Sequence, residues 1–175
     1  ILKAMNSTKQ PDVENLKHLN KWINEMNFTL ESIIFSASTL KKGSFEKLDA
    51  FLTELYGLKC FTIEEISRHA EKKKDLFETS VLIAKSLSLY FEVIDTVVDN
   101  YTSKWFEFGY DRETLVFIAN YCFKQGKNSL ENMDKIIDYL FKNGVISFTA
   151  VSEYFLKVQK DDDFRNADLT SEKNV

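Results

Sequence analysis

Apolar residues recur at intervals of three and four along most of the chain, the spacing that places them on one face of a helix. In the first part of the chain this pattern predicts helices that begin at Asp12, Thr29 and Ser44, because these side chains can accept hydrogen bonds from exposed backbone amides. The residues of the first helix predicted to face a core are Val13, Leu16, Leu19, Trp22, Ile23 and Met26. Those of the second helix are Leu30, Ile33, Ile34, Ala37 and Leu40.

A fourth helix is predicted to start at Thr62, since Thr62 and Glu65 form the T-x-x-E pattern of a capping box. It is expected to end after the lysines of residues 72–74, because positive charge suits the carboxyl end of a helix. Residues 76–104 then read as one long helix or as two helices with a bend.

The second half of the chain predicts further helices of the same kind. Asp111 and Ser129 are expected to cap two of them, and Gly126 and Gly144 lie where a helix should end. A last helix restarts at residues 148–149. The chain has one Pro and five Gly in 175 residues, so helices can run with little interruption. We therefore predict an all-α fold.

The segment from residue 110 to 155 has a degenerate counterpart between residues 28 and 66. Matches that keep their order across three helices indicate a duplicated unit, so the chain is interpreted as an internal repeat. The matched pairs are Phe28 with Tyr110, Glu31 with Glu113, Ala37 with Ala119, Lys42 with Lys124, Gly43 with Gly126, Ser44 with Ser129, Glu46 with Glu131, Asp49 with Asp134, Leu55 with Leu140, and Phe61-Thr62 with Phe148-Thr149.

The residues WFEFGY at 105–110, the helix ETLVFIANYCFKQGK and the segment SLENMDKIIDYLFKNGV resemble the DnaD-like domain of bacterial replication-initiation and primosome proteins. The resemblance covers most of residues 12–158. It implies two tandem helical DnaD-like repeats of about four to five helices each. It also implies a non-enzymatic role in primosome assembly or helicase loading, with replication-initiation proteins or a helicase loader as partners.

In this family a segment of the last long helix is linked to DNA binding and carries Tyr, Ile and Trp at fixed spacing. The corresponding positions here are Asn132, Ile136 and Leu140, so that only the Ile is shared. The resemblance implies binding of single- or double-stranded DNA. The two changed positions keep open the alternative of a protein-interaction scaffold without DNA affinity.

The pattern and the resemblance together divide the chain into four parts. Residues 1–11 are expected to form a flexible entry, and residues 161–175 a disordered polar tail. Between them we predict one repeat over residues 12–75 and another over residues 76–160.

The net charge of −4 argues against nucleic-acid binding by the overall field of the protein. Binding would need cations on one accessible face, so we searched for a local basic surface. The DNA-binding candidates, predicted to gather around the link and exposed side of the penultimate helix, are Lys124, Lys127, Lys135 and Lys142. Lysines at the matching places upstream are Lys41, Lys42 and Lys47. The alternative interpretation is ordinary surface lysine.

Nothing in the sequence supports an enzyme. His18 and His69 stand in separate helices, and no Gly-rich phosphate loop or spaced metal-ligand motif occurs. We expect no catalytic residue, metal or cofactor. Cys60 and Cys122 lie far apart, which favours two reduced thiols and a cytoplasmic location. No run approaches the roughly 18 apolar residues that span a membrane.

Overall fold

The residues that the computed structural model describes are 1–5, 10, 12–40 and 44–171, with side chains as far as residue 160. Helices are the only regular elements in this described part of the chain, which confirms the predicted all-α fold. The chain forms two compact units, Ile1–Lys73 and Lys74–Val175, named here unit 1 and unit 2.

The helices of unit 1 begin where the sequence supplies a capping side chain. They are α1 (Val13–Asn20), a π-helical segment that continues it (Lys21–Glu25), α2 (Leu30–Thr39), α3 (Phe45–Gly57) and the first part of α4 (Ile63–Ser86). Asp12, Thr29 and Ser44 each accept a hydrogen bond from a backbone amide, as predicted. Thr62 and Glu65 form the capping box: the Thr62 hydroxyl accepts from the Glu65 amide at 3.3 Å, and the Glu65 carboxylate accepts from the Thr62 amide at 3.0 Å.

One face of each helix in unit 1 supplies a common core, although α1 contributes less to it than predicted. The buried apolar residues are Met5, Trp22, Met26, Phe28, Ile33, Ala37, Leu48, Phe51, Leu52, Leu55 and Ile66. Val13 and Leu16 are 72% and 57% exposed, and Ile23, Leu30 and Ile34 are exposed as well. The π-helical segment explains part of this difference. Its i→i+5 hydrogen bonds shift the helical register, so Trp22 and Met26 are buried in the core. Leu19 is partly buried against that core, whereas Val13 and Leu16 are not.

The structure describes residues 1–5 and 10 of the predicted flexible entry. Residues 2–5 form a turn in which the Met5 amide donates to the Ile1 carbonyl at 3.0 Å. Met5 is buried in the core of unit 1. Residues 6–9 and 11 of the predicted entry lie outside the described residues.

The helices of unit 2 come next along the chain. They are the last part of α4, then α5 (Asp95–Val97), a π-helical segment (Val98–Thr102), α6 (Ser103–Glu107), α7 (Arg112–Lys124), α8 (Leu130–Lys142) and α9 (Phe148–Ser171). Asp111 and Ser129 cap α7 and α8 through hydrogen bonds from the Thr114 and Asn132 amides, as predicted. The buried core consists of Ile83, Leu87, Val97, Trp105, Tyr110, Leu115, Ile118, Ala119, Cys122, Leu130, Met133, Ile137, Leu140, Val151 and Phe155.

Helix α4 differs from the prediction both at residues 72–74, where it was expected to end, and in the segment that follows. It continues without a break from Ile63 to Ser86, so the lysines of residues 72–74 lie inside it and not in its last turn. The helix continues because Ile83 and Leu87, beyond those lysines, are buried in the core of unit 2. It ends at Ser86, two residues before Ser88, whose φ of 55° is left-handed, and residues 89–94 are not helical.

The last helix begins at Phe148, as predicted, but its cap and its length differ from the prediction. The hydroxyl of Ser147 accepts a hydrogen bond from the Ala150 amide at 3.3 Å, so the counterpart of Thr62 as a helix cap is Ser147, two residues before Thr149. Helix α9 extends to Ser171, where a disordered tail was predicted from residue 161. Residues 172–175 of that tail lie outside the described residues.

Candidate nucleic-acid interface

The link between α7 and α8 holds its lysines on a well-defined backbone. Gly126 has a φ of 68°, a left-handed conformation that glycine adopts without strain. The Lys127 amide then donates to the Cys122 carbonyl at 2.9 Å, which closes the carboxyl end of α7. Lys124 and Lys127 therefore lie together at the start of this link.

The four candidate lysines of unit 2 are exposed, but the structure does not gather them into one cluster. None of the four side chains forms a hydrogen bond or salt bridge with a residue in the described part of the chain. Lys135 and Lys142 are seven residues apart on one face of α8, which separates their Cα atoms by roughly 10 Å. Lys142 ends α8, whereas Lys124 and Lys127 precede it. Lys124 and Lys127 are thus close together in the chain, while Lys135 and Lys142 lie further along α8.

Carboxylates are interleaved with the lysines along α8. Glu131 lies four residues before Lys135, and Asp138 lies four residues before Lys142. The backbone amide at the helix start and the Ser129 hydroxyl lower the pKa of Glu131, so this carboxylate is ionised at neutral pH. A phosphate backbone lying along α8 would meet alternating charges.

The three positions that correspond to the family's DNA-binding segment are turned largely inward. Leu140 is fully buried and Ile136 packs against the core of unit 2. Asn132 is half-buried, and its amide donates to the capping hydroxyl of Ser129 at 3.1 Å. None of these positions presents an exposed aromatic face to a partner.

Next to the lysines of α8, a buried tryptophan joins α6 to α8. The Trp105 indole Nε1 donates to the Asp134 carboxylate at 2.7 Å, and Lys104 forms a salt bridge with Asp134 and with Asp138 at 3.3 Å. Burial opposes the charged form of Lys104, but its hydrogen bonds and attraction to these two carboxylates outweigh burial and raise its pKa. Lys104 is thus charged and already paired.

Unit 1 contains the same arrangement. The Trp22 indole Nε1 donates to the Asp49 carboxylate at 2.7 Å, and Lys21 bonds that carboxylate at 2.8 Å. The signal in the sequence is the Lys-Trp dipeptide that occurs at 21–22 and again at 104–105, which the matched pairs did not include. Of the upstream lysines, Lys47 is exposed on the first turn of α3, while Lys41 and Lys42 lie outside the described residues.

A groove between α7 and α9 is the feature that the sequence did not predict. It has a volume of about 730 Å³. The residues that line it are Phe117, Asn120, Tyr121, Lys124, Gln125, Ser152, Phe155, Leu156 and Gln159. The rings of Tyr121 and Phe155 stack in parallel, with centroids 3.7 Å apart and an interplanar angle of 2°. The signal available in the sequence was the helical spacing of Phe117 and Tyr121.

The histidines and cysteines take structural positions. His69 lies 2.8 Å from the Glu54 carboxylate, and His18 lies 3.7 Å from that of Asp49. Cys60 and Cys122 are free thiols, and burial raises the pKa of Cys122 to about 11. Among the described residues, no group of three or more His, Cys, Asp or Glu side chains is placed to hold a metal ion.

Within the part of the chain that the structure describes, no helix combines the length and apolar character needed to cross a membrane. No protein-family model matches the chain, and neither a curated protein nor a solved structure matches it.

Proposed function

We propose that the chain is a tandem pair of DnaD-like modules, non-enzymatic, that acts in DNA replication initiation by assisting primosome assembly or helicase loading and binds DNA weakly through unit 2. The observation that carries this proposal is the pair Lys124 and Lys127 at the α7–α8 link. Both side chains are exposed, and neither has an ion-pair partner in the described part of the chain. Unpaired lysines beside a helix start are suited to phosphate contacts.

The contacts shared by the two units support the tandem interpretation. A tryptophan indole bonds an aspartate on the helix capped by Ser44 in unit 1, and the same bond is made on the helix capped by Ser129 in unit 2. Two unrelated folds are not expected to have both the serine cap and the indole–aspartate hydrogen bond at corresponding positions of the chain.

The second candidate is a protein-interaction scaffold without DNA affinity. It is favoured by the exposed apolar residues of α1 and α2 in unit 1, including Val13, Leu16 and Leu30. The buried Leu140 favours it too, because the family's aromatic contact to DNA is absent at that position.

The proposal is tested by fluorescence anisotropy of labelled single- and double-stranded DNA with the full chain at two salt concentrations. We expect weak binding whose affinity falls as salt rises, because each phosphate contact releases counterions. Changing the four candidate lysines to Gln should reduce both the affinity and its dependence on salt.

The matched control changes four other exposed lysines to Gln, so that the net charge falls by the same amount. Suitable residues are Lys3, Lys59, Lys72 and Lys85. Equal losses in the two variants would show that only the overall charge matters. Absence of binding by the unmodified chain at low salt would remove the DNA proposal and favour the scaffold.

A further inference from the structure

The groove between α7 and α9 in unit 2 has the chemistry of a binding site. Its floor is aromatic: Tyr121 stacks on Phe155, and Phe117 packs against Phe155 with ring centroids 6.1 Å apart. Phe117 and Tyr121 are partly exposed along the groove. A volume of about 730 Å³ falls within the roughly 300–1,000 Å³ range of pockets that enclose small organic molecules.

The polar groups of the groove are neutral amides, one hydroxyl and one cation. Asn120, Gln125 and Gln159 carry side-chain amides that can both donate and accept hydrogen bonds. Among the lining side chains that the structure describes, as far as residue 160, Lys124 is the one cation and none is a carboxylate. An acidic ligand with flat, hydrogen-bonding rings matches this set of groups.

We propose that the α7–α9 groove binds unpaired bases of single-stranded nucleic acid, with a phosphate beside Lys124. This inference rests on the proposed function and names the form of nucleic acid that unit 2 takes. Bases stack on aromatic side chains whatever their sequence, and amides can bond their edges. The bases of a duplex are stacked and paired, so they cannot enter a groove between two helices without being extruded.

The groove also explains how a chain of negative net charge can bind nucleic acid. Stacking contributes affinity without many phosphate contacts. This matters because the lysines of α8 alternate with carboxylates, which repel phosphate. We therefore expect binding of a single strand to fall less steeply with salt than binding of a duplex to the same chain.

The test compares a labelled oligothymidine with a hairpin duplex of equal length, by anisotropy with the full chain. The groove variant carries Asn120→Asp and Gln159→Glu, two exposed positions where a carboxylate repels phosphate. The first change also removes the hydrogen bond that Asn120 Nδ2 donates to the Val116 carbonyl at 2.9 Å. The matched control carries Asn20→Asp and Asn24→Asp, the same change in charge at exposed positions of unit 1. Circular dichroism verifies that both variants keep their helical content.

We expect the groove variant to bind oligothymidine about tenfold more weakly or worse, while the control binds as the unmodified chain does. As an independent readout, an oligonucleotide containing 5-bromouracil should crosslink on irradiation to a peptide from α7 or α9.

Two outcomes overturn the inference and are distinguishable. Single-strand binding that is lost in the four-lysine variant but unchanged in the groove variant places the ligand elsewhere and leaves the proposed function standing. Absence of binding to either form of DNA removes the inference and the DNA part of the proposed function together. In that case capture of a helical peptide by the groove would identify it as a protein-docking site.

Discussion

Units 1 and 2 share a partly buried hydrogen bond but differ at the positions that form the aromatic floor of the α7–α9 groove in unit 2. Each unit bonds a tryptophan indole to an aspartate carboxylate at 2.7 Å. Where unit 2 stacks Tyr121 on Phe155, the corresponding residues of unit 1 are Thr39 and Ala70. The indole–carboxylate bond is thus common to both units, whereas the stacked aromatic pair occurs at these positions in unit 2, which is why the proposed ligand binding concerns unit 2.

The backbone repeats the same correspondence at its left-handed residues. Asn27 has a φ of 59° where unit 2 has Gly109 at 95°, and Lys59 has a φ of 58° where unit 2 has Gly144 at 70°. The turns are therefore alike, but unit 1 forms them with Asn27, a residue type that tolerates this conformation, and with Lys59, whose side chain is strained in it. Unit 2 is the better adapted of the two at these turns.

The largest effect is expected from emptying the matched core positions. Leu55 and Leu140 are both fully buried. Leu55→Ala and Leu140→Ala should each lower the free energy of unfolding by about 2–5 kcal/mol, because each leaves a cavity. Urea denaturation followed by circular dichroism measures the change. A loss below about 1 kcal/mol at either site would contradict the burial described for it.

A smaller loss is expected from removing the aspartate that accepts the indole hydrogen bond. Asp49→Ala or Asp134→Ala leaves a buried indole N–H without its acceptor and should destabilise by about 1–3 kcal/mol. The control is a double-mutant cycle with Trp22→Phe or Trp105→Phe. If the bond matters equally in both units, the two cycles should give similar coupling energies, and a coupling near zero in one cycle would break the equivalence.

Next in size is the strain at the left-handed turns. Gly144→Lys should lower the free energy of unfolding by about 1–2 kcal/mol, since a side chain at positive φ is strained. Lys59→Gly should raise the free energy of unfolding by a smaller amount. Glycine relieves the strain but also gains freedom in the unfolded chain, which costs roughly 0.5–1 kcal/mol of stability. Opposite signs in the same denaturation assay are the expected result. Equal signs would show that the two turns are not equivalent.

The smallest expected effect is a pH dependence of the free energy of unfolding, which arises from Asp49 in unit 1. Burial opposes ionisation of Asp49, but hydrogen bonds from Lys21 and Trp22 and the charges of Lys21 and His18 outweigh burial and hold its pKa below the ordinary 3.8. The folded form therefore binds this proton less readily than the unfolded form. The stabilisation is fully present above pH 3.8 and is lost as pH falls through the lower folded pKa.

Asp49→Asn provides the measurement for this prediction. The difference in stability between the unmodified chain and this variant should be constant near neutral pH and shrink below pH 3.8. Urea denaturation at a series of pH values gives the difference directly. A difference that grows on acidification would contradict the sign of the pKa shift.

The sequence predicted those parts of the fold that depend on neighbouring residues. The caps at Thr29, Ser44, Asp111 and Ser129 are local, because the side chain and the amide it accepts from are three residues apart. The continuity of α4 was missed because it depends on the burial of Ile83 by residues far along the chain. Tertiary packing decided where that helix ends.

The candidate site divides in the same way. The exposure of Lys124 and Lys127 follows from their place at a helix end and was predicted. Lys142 lies at the far end of α8 from them, because α8 is 13 residues long. The predicted cluster did not take this length into account. The groove needs Tyr121 of α7 and Phe155 of α9 to meet, and no local pattern specifies that contact.

The break after α4 has a practical consequence. Residues 89–94 are not helical, and Tyr90 is 89% exposed, so chymotrypsin should cleave the native chain there first. The cut would leave Ile83 and Leu87 on one fragment and the rest of the unit 2 core on the other. The fragments should therefore stay together through gel filtration and separate only in denaturant. This would make the loop a natural position for dividing the protein into two complementing halves.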